Sequence, residues 1–229
     1  MSKVALAVID LQEDFLPPDG SLAIADGRSI IPKINKLLSK HNWAAIINTQ
    51  DWHPHNHISF ASTHGVAPYS QLQFTHPEGK IDATTNQAQV MTQYVWPDHC
   101  VQDTAGAALE QSFADAFNQI QGEKTNVKKG YLVDREYYSC FQDCWGLHHT
   151  EMQPYLKEKG ITDVVFVGLA YDFCVMNSAV DCAKDGFNTV VLKDYCKSVY
   201  PDKIAETDKV YTDAGVRIVE DKDLDALFK

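Results

Sequence analysis

Thr162-Asp163-Val164-Val165-Phe166-Val167-Gly168-Leu169-Ala170-Tyr171-Asp172-Phe173-Cys174-Val175 is the stretch whose reading decides the fold. It opens with a short run of β-branched and aromatic residues, the composition of a strand buried on both faces. Gly168 breaks the run. After Asp172 the apolar positions fall at Val175, Ala179, Cys182 and Ala183, a helical spacing that ends near Gly186. Cys174 therefore sits in the first turn of a helix that follows a strand. Free backbone N–H groups and the positive end of the helix dipole favour a thiolate there. Position alone leaves two readings open: a nucleophile beside backbone able to hold an oxyanion, or a buried structural cysteine.

Working outward, the same alternation of apolar strands and amphipathic helices recurs along the chain. Val4-Ala5-Leu6-Ala7-Val8-Ile9 reads as a buried first strand ending at Asp10, and Ile30, Ile31, Ile34, Leu37 and Leu38 trace a helix. Trp43 to Thr49 reads as a second strand, which delivers Asp51-Trp52-His53-Pro54-His55-Asn56-His57. Ser62 to Met91 is polar and without period, and a loop that long is usually functional or flexible. Trp96-Pro97-Asp98-His99-Cys100 follows it, then a helix with Leu109, Phe113, Ala116, Phe117 and Ile120 on one face. Val127-Lys128-Lys129-Gly130 is a short strand, and Asp134 to Ser139 is a polar and aromatic turn. Thr150-x-x-Gln153 has the form of a capping box. Thr189 to Leu192 and Val216 to Val219 supply the last strands. The pattern predicts an α/β fold: one domain, residues 1–229, with an open, mostly parallel sheet covered by helices on both faces.

The 229 residues suffice for a full core, and 45% hydrophobic with 22% charged residues is ordinary for a globular protein. A formal net charge of -11 disfavours nucleic acid and anionic membranes as partners, since both select a basic face. The start, Met1-Ser2-Lys3-Val4, leads straight into a strand with no signal-peptide core, and six scattered cysteines read as reduced thiols. An intracellular, cytoplasmic protein is expected. Nucleus and peroxisome remain open, although Leu227-Phe228-Lys229 is not a standard peroxisomal signal. Cys140 and Cys144 fit one helix turn, but with no second Cys/His pair nearby a zinc site is the lesser reading.

Two segments carry candidate chemistry besides Cys174. A carboxylate at the carboxyl end of a central strand, such as Asp10, is where open α/β sheets place their reactions, although such residues also serve as caps. If the chain stays extended past Gln50, Asp51 and His53 point to the same side, which makes half of a divalent metal site. His99 is a candidate third ligand. His57 either pins the loop or lines a pocket.

Taken together, Val8-Ile9-Asp10-x-Gln12-x-Asp14-Phe15, Asp51-Trp52-His53-Pro54-x-x-His57-x-Ser59-Phe60, Trp96-Pro97-x-His99-Cys100 and Val167-Gly168-x-Ala170-x-x-x-Cys174-Val175 resemble the nicotinamidases, a branch of the isochorismatase-like cysteine hydrolases. The resemblance spans nearly the whole chain in order. Lys129-Gly130 followed by Asp134-Arg135-Glu136-Tyr137-Tyr138-Ser139 resembles the fungal or eukaryotic type, and Tyr171-Asp172-Phe173 departs from many relatives. The resemblance implies a Rossmann-like three-layer sandwich and hydrolysis of nicotinamide to nicotinate and ammonia in NAD salvage, with pyrazinamide-like analogues also accepted. A related small-amide amidase is the alternative. It implies a catalytic set of Asp10, Lys129 and Cys174, and an oxyanion hole from the backbone N–H groups of Ala170 and Cys174. A cis peptide between Leu169 and Ala170 accompanies that hole. It further implies one divalent metal on Asp51, His53 and His99, Zn²⁺ foremost with Fe²⁺ or Mn²⁺ as alternatives. Phe15 and Trp96 would flank the substrate ring and Tyr137 would line the pocket; a core aromatic is the alternative for all three and the favoured reading for Tyr137, and homo-oligomer formation is left open.

Overall fold

The first strand, β1 (Val4–Ile9), is buried along its whole length, and its alternate residues enter two different cores. Val4, Leu6 and Val8 pack with Ile31, Ile34, Leu37 and Leu38 of helix α1 (Ile31–Lys40). Ala5, Ala7 and Ile9 face the opposite way. This is the period-2 consequence of a pleated strand with cover on both faces. The computed structural model describes residues 2–228; Met1 and Lys229, which the expected domain bounds and the C-terminal tripeptide include, lie outside the described residues.

The chain continues through β2 (Ala45–Asp51), the short helix α2 (Ala61–His64), β3 (Gln71–Thr75), β4 (Val90–Tyr94), α3 (Gln111–Gln119) and β5 (Lys124–Lys129). Then come α4 (Met152–Glu158), β6 (Asp163–Leu169), α5 (Cys174–Lys184), β7 (Asn188–Lys197), α6 (Ile204–Asp213) and β8 (Arg217–Val219). Six strands form one parallel sheet in the order β5-β2-β1-β6-β7-β8. Phe113 and Phe117 of α3 join the α1 side, whereas Met152 and Leu156 of α4, Val175, Ala179 and Cys182 of α5 and Tyr211 of α6 fill the other. Full burial of each such side chain stabilises by about 1.5–3 kcal/mol. The expected open α/β sheet with helices on both faces is what the chain forms.

Strand order reverses between β1 and β6, so the crevice at their carboxyl ends is the topological switch point where such sheets bind ligands. Gly168 lies beside Ile9 in that pair, at φ +115°. A Cβ on it would come within 2.2 Å of the Ile9 carbonyl oxygen, so only glycine allows the two strands this approach.

Three readings need correction. The stretch from Ser62 to Met91 is not wholly irregular: β3 and β4 pair there as an antiparallel hairpin. Most of its residues are exposed or half-buried, so no core-facing stripe wrote a period into the sequence. Cys140 and Cys144 lie in irregular chain rather than on a helix turn, and both are free thiols. Thr150 does accept the Met152 N–H at 3.2 Å, but the N-cap position falls on Glu151, one residue later than the capping-box reading. Strand β7 also runs five residues beyond Leu192. All six cysteines are free, and among the described residues no helix is long and apolar enough to cross a membrane.

Candidate active site

Four strand ends deliver the functional side chains. Asp10 is the first residue past β1, Asp51 ends β2, Lys129 ends β5, and Cys174 opens α5 after β6. Parallel pairing puts Asp51 directly beside Lys129 in adjacent strands. Lys129 is wholly buried, and its ammonium lies 3.0 Å from Asp10 Oδ2 and 3.4 Å from Cys174 Sγ. It also donates to Asp51 Oδ1 and, at 3.1 Å, to the carbonyl of Tyr137. Oxygens of Asp10 and Asp51 and the Cys174 sulfur all lie within 4.8 Å of one another. The three residues expected to act together are therefore in contact through one lysine.

Their electrostatics follow from burial opposed by charge. Burial alone would lower the Lys129 pKa, but the Asp10 and Asp51 carboxylates hold it well above the ordinary value. Burial raises the Asp10 carboxyl, with Lys129 opposing. For Asp51 burial is overcome by Lys129 and His53, and its carboxyl is held well below the usual range. Burial raises the Cys174 thiol well above its usual value although Lys129 pulls the other way. Burial thus works against the thiolate expected at a helix N-terminus, so a base beside the sulfur assists its ionisation.

Asp10, Gln12 and Asp14 each serve the site differently. Thr49 Oγ1 donates to Asp10 Oδ1 at 2.6 Å. Gln12 clamps the backbone of Asp51, accepting its N–H and donating to its carbonyl, both at 2.8 Å. Asp14 Oδ2 accepts the Cys100 N–H at 2.7 Å and so tethers the loop that carries His99.

That loop runs alongside the end of β2, with the His53 N–H on the Cys100 carbonyl at 3.0 Å. Ligand atoms of Asp51, His53 and His99 converge within 4.8 Å, all buried. His53 Nδ1 lies 2.8 Å from the Gly130 carbonyl and His99 Nδ1 lies 2.7 Å from that of Pro97. A carbonyl can only accept, so each Nδ1 carries the proton and each Nε2 presents a lone pair. Those Nε2 atoms stand 3.6 and 3.8 Å from Asp51 Oδ2. His53 Nε2 is buried with no hydrogen-bond partner. Two imidazole lone pairs and a carboxylate oxygen facing one point, one of them otherwise unsatisfied, fit a divalent cation. Gly130, at φ +74°, makes room: a Cβ there would fall 2.4 Å from His53 Cε1. His57 stands behind this set, its ring stacked on His53 with centroids 4.1 Å apart. Both its nitrogens are taken, by Ser59 Oγ at 2.7 Å and the Arg135 carbonyl at 3.0 Å, so it pins the loop. His55 is exposed.

A cavity opens over Cys174 and Ala170 and reaches Asp51 and His99. Phe15, Trp96, Tyr138 and Phe173 form its aromatic walls, closed by Leu22, Ile24 and Val199, and Glu136 adds a buried carboxyl. The Leu169–Ala170 peptide is cis, as expected. Phe15 and Trp96 stand where the resemblance placed them. Tyr137 does not reach the cavity: it is fully buried, with its hydroxyl 2.6 Å from His148 Nδ1. Its neighbour Tyr138 lines the cavity instead. Of the Tyr171-Asp172-Phe173 departure, only Phe173 touches the cavity. Asp172 accepts the Val199 and Tyr200 N–H groups at 2.9 and 2.8 Å and holds that wall in place. Thr49, Glu136, Tyr138 and the aliphatic wall were not found from sequence, although the i, i+2 spacing of Thr49 with Asp51 and of Leu22 with Ile24 was a usable signal.

With this geometry in hand, the isochorismatase domain model matches residues 4–219. The chain belongs to the isochorismatase family. Among curated relatives, the nicotinamidase of Saccharomyces cerevisiae is 38% identical over 86% of this chain and 89% of its own. A crystal structure of the yeast nicotinamidase bound to the inhibitor nicotinaldehyde superposes with a TM-score of 0.87 at 33% identity, covering 95% of this chain and 99% of that one. The pyrazinamidase of Pyrococcus horikoshii, solved in complex with zinc, gives a TM-score of 0.71 at 29% identity, covering 95% and 99%. This member of the isochorismatase family is an amide hydrolase by that kinship, with a site built for a divalent metal.

Proposed function

We propose that this chain is a nicotinamidase, converting nicotinamide to nicotinate and ammonia through a thioester on Cys174. The observation that carries the reading is the single cavity bounded at one point by the Cys174 sulfur and at another by Asp51 and His99. A flat aromatic amide fits between Phe15 and Trp96 with its carboxamide over the sulfur. Asp10 takes the thiol proton as the sulfur attacks the amide carbon, and the buried Lys129 offsets the negative charge passed between them. The tetrahedral oxyanion is received by the N–H groups of Ala170 and Cys174; one such donor is worth about 3–4 kcal/mol. Asp10 returns the proton to the leaving ammonia, then draws one from the water that hydrolyses the thioester. Asp51, His53 and His99 would hold one divalent ion, Zn²⁺ foremost, and it would supply an electrophile for the pyridine nitrogen. Pyrazinamide-like rings carry a nitrogen at the same position and are accepted on the same grounds.

Ammonia release from nicotinamide by the purified, zinc-loaded protein tests this, measured before and after treatment with iodoacetamide. Release that alkylation abolishes is expected. Absence of release, or release that survives alkylation of Cys174, overturns it.

A further inference from the structure

The two oxygens of Asp10 have different partners, and Thr49 sets which is which. Thr49, fully buried in β2, donates its hydroxyl to Asp10 Oδ1 at 2.6 Å. The Thr49 hydroxyl oxygen in turn accepts the Asp10 backbone N–H at 3.2 Å. A hydroxyl has one proton and two lone pairs, so both bonds form at once. Asp10 stands at φ +50°, in the left-handed region that a residue with a side chain seldom adopts. Thr49 thus grips the residue at backbone and carboxylate together. Oδ2 is left to the Lys129 ammonium, 3.0 Å away, which also lies 3.4 Å from the Cys174 sulfur.

We propose that Thr49 is a positioning residue for the hydrolysis: its hydroxyl fixes the Asp10 carboxylate so that Oδ2 alone is available to take the proton from Cys174. The proposal rests on Asp10 being the base. Valine has the shape of threonine but no hydroxyl, so Thr49→Val keeps the packing and releases both Asp10 contacts. Asp10 takes no part in holding the aromatic ring. The loss therefore falls on kcat, because an interaction that matters only in the chemical step leaves ground-state binding alone. Misplacing a reacting group by about 1 Å costs roughly 100-fold.

The experiment compares kcat and KM for nicotinamide in zinc-loaded wild type, Thr49→Val, Thr49→Ser and Asp10→Asn. Expected is a fall in kcat of roughly 10- to 100-fold for Thr49→Val with KM within about twofold, and recovery to within about threefold of wild type for Thr49→Ser. Asp10→Asn should be the least active. Wild-type kcat in Thr49→Val beside an inactive Asp10→Asn overturns the role of Thr49 alone, as does a serine variant no better than valine. Wild-type turnover in Asp10→Asn overturns the underlying assignment of the base. If Thr49→Val does not fold, Thr49→Ala against Thr49→Ser makes the same comparison.

Discussion

Asp10, Lys129 and Cys174 hold one another by charge, whereas His53 and His99 are held by backbone carbonyls that take no part in the chemistry. In the first half of the site the groups meet on one ammonium, which contacts two carboxylates and a sulfur, and the Thr49 hydroxyl braces Asp10. In the second, Gly130 and Pro97 orient the rings from outside and Asp51 alone faces both. Lys129 joins the halves, since it contacts Asp10 on one side and Asp51 on the other. The difference teaches where each half is vulnerable. The triad half is most sensitive to loss of a member, with a smaller loss when the Thr49 hydroxyl is removed; the metal set is also exposed through the carbonyls that orient its rings.

The sharpest break of the triad half is Cys174→Ala. We expect kcat for nicotinamide to fall by about 10⁴-fold or more, with the circular dichroism spectrum unchanged. Turnover above a few per cent of wild type would remove the covalent route. On the metal half, His53→Ala should lower bound zinc from about one ion per chain toward zero by elemental analysis, with activity following it, and chelation of the wild type should do the same. Zinc retained in full by that variant would break the proposed ligand set.

A gentler probe reads the supports through pH. Burial, together with the nearby His53, holds the His57 pKa well below its ordinary 6.5. His57 is thus neutral when folded and protonates when unfolded below pH 6.5, so the unfolded state binds the extra proton. Stability is then full above pH 6.5 and is lost as pH falls below it, by up to about 1.4 kcal/mol per pH unit from this residue. Urea midpoints between pH 7.5 and 5 should fall less steeply in His57→Gln than in wild type; parallel slopes would mean that His57 is not neutral in the fold. The smallest effect belongs to His55→Ala. That exposed side chain should change zinc content by nothing measurable and stability by less than about 0.5 kcal/mol. Loss of zinc there would force a different ligand set.

The halves also differed in legibility. The end of the first strand is readable, because a buried apolar run that stops at Asp10 announces both the strand and its carboxyl terminus. The spacing of Asp51 and His53 told which side they share, since β2 does run to Asp51. What failed had no period to read. Tyr137 and Tyr138 are adjacent and chemically alike, and only the direction of an irregular loop decides which one faces the cavity. The β3–β4 hairpin carries too little core to betray its alternation, and the Thr49 bond to Asp10 joins residues 39 positions apart, so the spacing of Thr49 with Asp51 gives its side but not its partner.

Gly130 has a consequence for how this enzyme can change. It follows Lys129 directly, and its missing side chain leaves the volume that the His53 ring fills. Two neighbouring positions therefore anchor both halves, and neither tolerates a step: a methyl group on one displaces a ligand, and a shorter amine on the other strands two carboxylates. The cavity walls are free of this bond. Leu22, Ile24 and Val199 lie on other segments, whereas Phe173 directly precedes Cys174. New substrates can be sought by varying those three while the strand beside them stays as it is, which makes appetite in this scaffold separable from chemistry.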